Sequence, residues 1–175
     1  MVIGMGSFGL VWKASVSEGE HAGKAVAIKI IDLDQFEDMS LAEMRKEIAV
    51  MNTSKHKNIV GEFVSFISGT HLYIVMEMLD AGSCMNIIKQ LGTRNNPGIA
   101  DEAVIATILR ETMLGLQYLH KSGKVHRDIK CGNILLNMQG DVFLSDFGVS
   151  ANIKKGVKRD TLVGSPCWMA PEVMN

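Results

Sequence analysis

From Leu10 to Val16 the chain alternates, with Trp12, Ala14 and Val16 on one side and Val11, Lys13 and Ser15 on the other. A two-residue period of this kind predicts a β-strand. Ala25 to Ile31 is rich in β-formers, and Val60 to Ile67 and Leu72 to Leu79 predict two more strands joined at Ser68-Gly69-Thr70, a turn composition. Between them Ser40-x-x-Glu43 has the form of a capping box, and it opens a predicted helix with Leu41, Met44, Ile48 and Met51 at helical spacing. The second half changes period. Asp101 predicts the cap of a long helix with the apolar stripe Ile105, Ile108, Leu109, Leu116 and Leu119, closed by Lys121 and Gly123. Short strands and loops follow. The break falls near Asp80-Ala81-Gly82-Ser83, and Arg94 to Gly98 reads as an exposed loop. A β-rich lobe over 1–79 joined to a helical lobe over 80–175 is an α+β class by element order.

Composition narrows the class. The chain has 175 residues, 47 % of them apolar, enough for one domain or a small two-lobed unit with a sizeable core. Eighteen basic and 19 acidic residues leave a net charge of −1, which gives no electrostatic case for nucleic acid or an anionic membrane as partner. Cys84, Cys131 and Cys167 are odd in number, far apart and without a C-x-x-C pair, so they predict a reducing compartment. The apolar run Leu72 to Leu79 is broken by Glu77 and too short to span a bilayer. The start, Met1-Val-Ile-Gly-Met-Gly, lacks the basic-then-apolar form of a signal peptide, and the expected address is the cytoplasm.

Candidate chemistry sits in five short motifs. Gly4-x-Gly6-x-x-Gly9 is a glycine-rich spacing that lets backbone approach phosphates without a Cβ in the way, although a glycine-rich hairpin turn would look the same. A dinucleotide-binding turn needs a helix after it, whereas a strand pattern follows Gly9. Val26-Ala27-Ile28-Lys29 sets one lysine inside an apolar strand, where a buried ammonium needs a partner unless it snorkels from an edge. Glu43 and Glu47 lie one turn apart on the next predicted helix, and Glu47 falls on its inward stripe with Met44, Ile48 and Met51. His126-Arg127-Asp128-Ile129-Lys130-Cys131-Gly132-Asn133, then Asp146-Phe147-Gly148, then Ala170-Pro171-Glu172 complete the set.

The whole ordered set resembles the eukaryotic protein serine/threonine kinase domain, and the resemblance runs over essentially the entire chain. It implies a two-lobed fold using ATP and Mg2+ on protein substrates with Ser/Thr acceptors. It implies Asp128 as proton acceptor of the attacking hydroxyl, Lys130 on the γ-phosphate, Lys29 held by Glu47 on the other phosphates, and Asn133 and Asp146 on magnesium. Met76 becomes the gatekeeper, with backbone groups of Glu77 and Leu79 holding adenine and Val11, Ala27 and Leu135 sandwiching it; plain core packing is the alternative for these side chains. Thr161 falls where an upstream kinase would phosphorylate, with Arg127 as the phosphate's partner. Lys154, Lys155, Lys158 and Arg159 form a basic run nearby that is equally read as a solvated loop. Ser165 matches the hydroxyl residue that contacts the catalytic Asp and Lys.

The stretches Asp146 to Ala151 and Gly164 to Met174 resemble the sterile-20-like, germinal-centre kinase group. Asn86 to Lys89 and Ala106 to Arg110 resemble its oxidative-stress-responsive, proline/alanine-rich branch. The chain also departs from the pattern. It stops three residues past Glu172, which predicts a domain truncated after the activation segment. Glu62 falls where relatives carry an apolar or Tyr residue in a stack with Met51, Phe147 and His126. Lys57 replaces a common proline, with no expected consequence. The alternative reading is a non-catalytic fragment or a pseudokinase-like nucleotide-binding module; intact Lys29, Asp128 and Asp146 argue against the latter.

Overall fold

The computed structural model describes residues 1–6, 9–35, 55–93, 98–146, 151–152 and 165–174. The predicted helix opening at Ser40, with Glu43 and Glu47, therefore lies outside the described residues. So do Thr161, the 154–159 basic run, Phe147 and Gly148. The described residues of Met1–Lys55 and Val60–Met78 form one compact unit, and those of His56–Ile59 and Leu79–Asn175 form a second.

The first unit is a β-sheet. Its strands are β1 (Val2–Gly6), β2 (Gly9–Ser15), β3 (Ala25–Asp32), β4 (Glu62–Ser68) and β5 (His71–Glu77), in the order β1-β2-β3-β5-β4, with every neighbouring pair antiparallel. The sequence pattern places β2, β3, β4 and β5 to within two residues of their observed ends, whereas β1 extends through Gly6, into the glycine-rich spacing. Register sorts the side chains. Val11, Lys29 and Ile74 stand in one cross-strand row, and Lys13, Ala27 and Met76 in the next. Ile31, Leu33, Leu72 and Ile74 are buried together, with Ile67 and Met76 packed against them. Gly9 is demanded by the fold itself. A Cβ there would stand 1.9 Å from the Ile30 carbonyl oxygen, so no side chain fits where β2 crosses β3. Gly4 differs, because a Cβ would meet only Val11 at an ordinary 3.7 Å.

The second unit is built on helix and hairpin. Strand β6 (Gly82–Ser83) runs into helix α1 (Cys84–Leu91), whose first turn is capped by the Ser83 hydroxyl accepting from the Asn86 amide at 3.2 Å. Helix α2 (Glu102–Lys121) is capped as predicted, with the Asp101 carboxylate accepting from the Ala103 amide at 2.8 Å and Gly123 leaving it at φ +72°. Strand β7 (Lys124–Val125) pairs with β10 (Ala151–Asn152), and β8 (Ile134–Leu136) and β9 (Val142–Leu144) form a hairpin whose β8 also pairs with β6. Pro171–Met174 forms a final helical turn, α3. The core gathers Ile59, Cys84, Leu119, Ile134, Val142 and Leu144, with Leu144 entirely buried. Burial pushes the Cys84 thiol up to about 11, with the Cys131 charge adding to it, so Cys84 is an inert core thiol.

The predicted face of α2 holds in part, with Leu119 buried and Ile108 and Leu116 packed against the core, and is corrected at its start. On α2 the buried residues are Thr112, Gly115 and Leu119, while Ile105 and Leu109 of the expected stripe stand 40 % and 55 % exposed. The reason is closeness of approach. A Cβ at Gly115 would sit 2.9 Å from the Asn58 carbonyl oxygen, so the helix makes its closest approach there through its smallest residue, while Leu119 fills the core one turn on. Thr112 is tolerated there because its hydroxyl donates to the Ile108 carbonyl at 2.8 Å. Among the described residues no helix is long and apolar enough to cross a membrane.

Glu62 carries a strain that the sequence suggested. Of its expected stack, Met51 and Phe147 lie outside the described residues. Its carboxyl is half-buried opposite Met76, and burial pushes it above the usual carboxylate range, with a Ser65 hydrogen bond pulling it partly back. The folded state therefore favours the protonated form. That contribution is present at low pH and is lost as pH rises through the raised value. Glu62→Gln is expected to raise the thermal-unfolding midpoint near neutral pH, with the gain vanishing below about pH 4. A gain that persists unchanged into acid would contradict this account of Glu62.

Candidate active site

The loop between β7 and β8 folds around one carboxylate. Asp128 is 8 % exposed and takes four polar contacts. Lys130 Nζ lies 2.8 Å from its Oδ2, and Asn133 Nδ2 donates to the same oxygen at 2.9 Å. The Ser165 hydroxyl donates to Oδ1 at 2.7 Å while accepting from Lys130 Nζ at 2.8 Å. Asn133 Nδ2 also donates to the Asp128 carbonyl at 2.8 Å. Burial pushes the Asp128 carboxyl up, but the hydrogen bonds from Lys130, Ser165 and Asn133, with the Lys130 charge, outweigh it and hold the group below the usual carboxylate range. The arrangement is an ionised, oriented acceptor. Ser165 thus does what its sequence position suggested.

His126 braces this loop from behind. It is 1 % exposed. Its Nδ1 accepts from the Asp128 amide at 3.2 Å, so the ring proton sits on Nε2 and donates to the Ser145 carbonyl at 2.9 Å. Burial holds its pKa below the ordinary imidazole value, against a countervailing pull from the Ser145 bond and from Asp128 and Asp146. Between His126 and Asp128 the chain passes through Arg127 at φ +67°, a left-handed conformation uncommon for a side chain this large. Arg127 is half-buried there, and the phosphosite it was matched with lies outside the described residues.

The β8–β9 hairpin then brings two more predicted residues to one end. Ile134 pairs with Leu144, so Asn133, just before β8, faces Ser145, just after β9. The Ser145 amide donates to the Asn133 carbonyl at 2.9 Å and its hydroxyl to the same oxygen at 3.2 Å. Asp146 follows at φ +65°. A non-glycine residue in that region costs of order 1–3 kcal/mol and persists only where its flanks over-determine it, as they do here. Leu135 lies within β8, half-buried, paired with Ser83 and Phe143. Leu79 is buried, and its carbonyl accepts from the Gly82 amide at 3.2 Å.

The remaining predicted residues belong to the sheet unit. Gly4, Gly6 and Gly9 fall on the β1–β2 hairpin. Lys29 is 3 % exposed at the centre of β3, which excludes the snorkelling alternative. Ala27 is buried and Val11 and Met76 are half-buried. The Glu77 amide is committed to the Gly61 carbonyl at 2.8 Å. Glu47, expected beside Lys29, lies outside the described residues.

A family model described as protein kinase domain matches residues 1–175. The chain belongs to the protein kinase domain family. Within that family it is 47 % identical over 174 residues to the serine/threonine-protein kinase fray2 of Dictyostelium discoideum, covering 98 % of this chain and 16 % of that protein. It is 43 % identical over 161 residues to Germinal center kinase 3 of Caenorhabditis elegans, covering 85 % of this chain and 27 % of that protein. It is 41 % identical over 174 residues to the serine/threonine-protein kinase sid1 of Schizosaccharomyces pombe, covering 98 % and 35 %. The kinase-domain chain thus spans well under half the length of these curated relatives.

Sequence reasoning missed one cluster. Asn58, 3 % exposed, donates through Nδ2 to Glu111 Oε2 and to the Val142 carbonyl, both at 2.9 Å, while its Oδ1 is buried without a hydrogen-bond partner among the described residues. Lys57, expected to be without consequence, pairs with the same Glu111 oxygen at 2.9 Å, and these bonds hold the Glu111 carboxyl below its usual range. A cavity of about 400 Å³ opens beside Lys57, Asn58, Glu111 and Asp141, and no predicted site residue lines it. The only available signal was Lys57-Asn58 before an apolar pair, which carries no chemistry alone.

His126 gives the kinase domain an acid-side weakness. The unfolded chain takes up a proton near the ordinary histidine value of about 6.5, while folded His126 refuses it, so stability falls as pH drops through that range. His126→Gln, which keeps a donor for Ser145, is expected to flatten the fall in unfolding midpoint between neutral pH and about pH 5.5. An equally steep fall in the variant would assign the slope to other groups.

Proposed function

We propose that this chain transfers the γ-phosphate of ATP to serine or threonine hydroxyls of protein substrates. The observation that carries the reading is the Asp128 carboxylate, held ionised and aimed by Lys130, Ser165 and Asn133. Each carboxylate oxygen has two lone pairs, so Oδ1 can accept from a substrate hydroxyl while keeping the Ser165 bond. Asp128 takes that proton as the hydroxyl oxygen bonds to the γ-phosphorus and the bond to the departing ADP oxygen breaks. Lys130, already beside Asp128, steadies the phosphoryl oxygens. Lys29 serves the other phosphates, with Glu47 as its proposed partner. Met76, Val11, Ala27 and Leu135 serve adenine, with the Glu77 carbonyl and the Leu79 amide as its backbone contacts.

The residues fit magnesium. Both amide hydrogens of Asn133 are spent on Asp128, which leaves its side-chain oxygen as the acceptor, and the hairpin register sets Asn133 at the end of the strands where Asp146 follows. A carboxylate and an amide oxygen suit a hard cation. When bound, magnesium would neutralise phosphate charge. Gly4 supports a close backbone approach to phosphate, since nothing in the fold itself forbids a side chain there.

We read the chain further as a member of the sterile-20-like, germinal-centre group, in its oxidative-stress-responsive, proline/alanine-rich branch. Support comes from Asn86 to Lys89, Ala106 to Arg110 and Gly164 to Met174, and from the relative named Germinal center kinase 3. Thr161 is the proposed target of an activating kinase, with Arg127 receiving its phosphate. The free thiols Cys84, Cys131 and Cys167 support a cytoplasmic address.

Asp128→Asn and Lys29→Met are each expected to lower phosphate transfer from radiolabelled ATP to a generic basic protein by more than about 100-fold while the circular dichroism stays that of the parent. Thr161→Ala should cost less, and an unchanged rate would remove it as the activating site. Full transfer by either of the first two variants would overturn the assigned roles.

A further inference from the structure

His56–Ile59 departs from the residues around it. The chain before and after it belongs to the sheet unit, yet these four residues belong to the second unit. Their attachment is specific. Asn58 grips β9 at both ends, donating from Nδ2 to the Val142 carbonyl at 2.9 Å and accepting at its own carbonyl from the Leu144 amide at 2.9 Å. Ile59 adds a parallel bridge to Leu144. Glu111 accepts the second Nδ2 hydrogen at 2.9 Å and thereby sets the plane of the amide. His56 turns the segment by accepting from the Asn58 amide at 3.1 Å, and its ring stacks on Tyr118 with centroids 4.8 Å apart.

The gripped strand is only three residues long, and Asp146 lies two residues beyond its end. Strand β8 holds one edge of β9 through three pairs, and Asn58 with Ile59 holds the other. Asp146 takes its left-handed backbone directly after Ser145, which is tied to the Asn133 carbonyl and to His126 and which follows Leu144 directly. The buried, unpartnered Oδ1 of Asn58 argues that the residue is kept for what its nitrogen and backbone donate and accept, since an apolar residue would have avoided that orphan.

We propose that Asn58 is a positioning residue for Asp146: by clamping β9 from the side opposite β8, it sets where the Asp146 carboxylate stands toward magnesium. This rests on the reading of Asp146 as a magnesium ligand. Asn58 touches neither nucleotide nor metal in this account, and it acts through Val142 and Leu144. Gly115 offers an independent way to disturb the same clamp, because a Cβ there would meet the Asn58 carbonyl oxygen at 2.9 Å and Leu144 Cδ1 at 3.0 Å. Lys57 offers a control, since its ammonium is exposed and reaches only Glu111 among these groups.

The test titrates magnesium into the full chain at fixed ATP and follows the unfolding midpoint, alongside amide hydrogen exchange of the metal-free chain. Parent, Asn58→Ala, Gly115→Ala and Lys57→Ala are compared at a temperature where circular dichroism finds all of them folded. Asn58→Ala and Gly115→Ala are expected to need about tenfold more magnesium for half-saturation, the scale on which outer-shell partners tune metal affinity. Lys57→Ala should match the parent, and the Leu144 amide should exchange faster in Asn58→Ala. A folded Asn58→Ala with the parent's magnesium requirement overturns the proposal; if that variant does not fold, the same result in Gly115→Ala does. A parent that binds ATP with no magnesium dependence overturns instead the reading of Asp146 on which the proposal stands.

Discussion

A single buried carboxylate organises the second unit. Asp128 cannot stay charged away from water without donors, and the chain supplies them from three places: Lys130 two residues on, Asn133 five residues on, and Ser165 far along the sequence. The surrounding backbone follows from that need. The left-handed turn at Arg127 lets His126 and Asp128 face the same interior, and the 3-10 turn of Cys131–Asn133 brings the amide of Asn133 back under the carboxylate. Removing one partner of such a buried charge typically costs about 3–5 kcal/mol, because the charge stays behind. Geometry that is costly to break suits the proposed role of Asp128 as proton acceptor, since phosphoryl transfer is mostly positioning and electrostatics.

The hairpin of β8 and β9 carries this order outward. Its register sets Asn133 opposite Ser145, and Leu144 anchors it in the core with no exposed surface. Truncating such a leucine to alanine typically costs about 2–5 kcal/mol, so the hairpin's place is set by packing before any ligand arrives. His126 ties the loop to the hairpin through the Ser145 carbonyl, and Asn58 ties the hairpin to α2 through Glu111. The Asp128 loop, the hairpin and α2 are therefore one hydrogen-bonded body, with a left-handed exit at Asp146 as its strained point.

Much of this was legible in the chain. The two-residue period marked the sheet strands, and Asp101 marked the start of α2, because caps and pleats are local devices written in adjacent residues. Ser165 and the Asp128 set were legible through the order of their motifs. What escaped was non-local. Helix α1 is short and follows the Asp80–Ser83 break; Ser83 has the composition of that break, whereas its hydroxyl is the helix's cap. The buried line of α2 ends at Leu119, which the stripe selects, but also runs through Thr112 and Gly115, which no hydrophobic stripe would select, because close backbone approach rewards small side chains. Asn58 and Glu111 lie 53 residues apart and carry no motif, so only the folded chain brings them together. The pairing of Lys57 with Glu111 escaped the sequence for the same reason.

The most direct test of the account is a titration of the Asp128 carboxyl itself, followed by carbon-13 chemical shift in a chain labelled at aspartate and assigned with Asp128→Asn. Asp128 is expected to titrate below the ordinary aspartate value of about 3.9, and to move upward when Ser165 is replaced by alanine. A carboxyl that titrates at or above that value would mean burial outweighs its donors, and the ionised acceptor at the centre of the proposed mechanism would not exist.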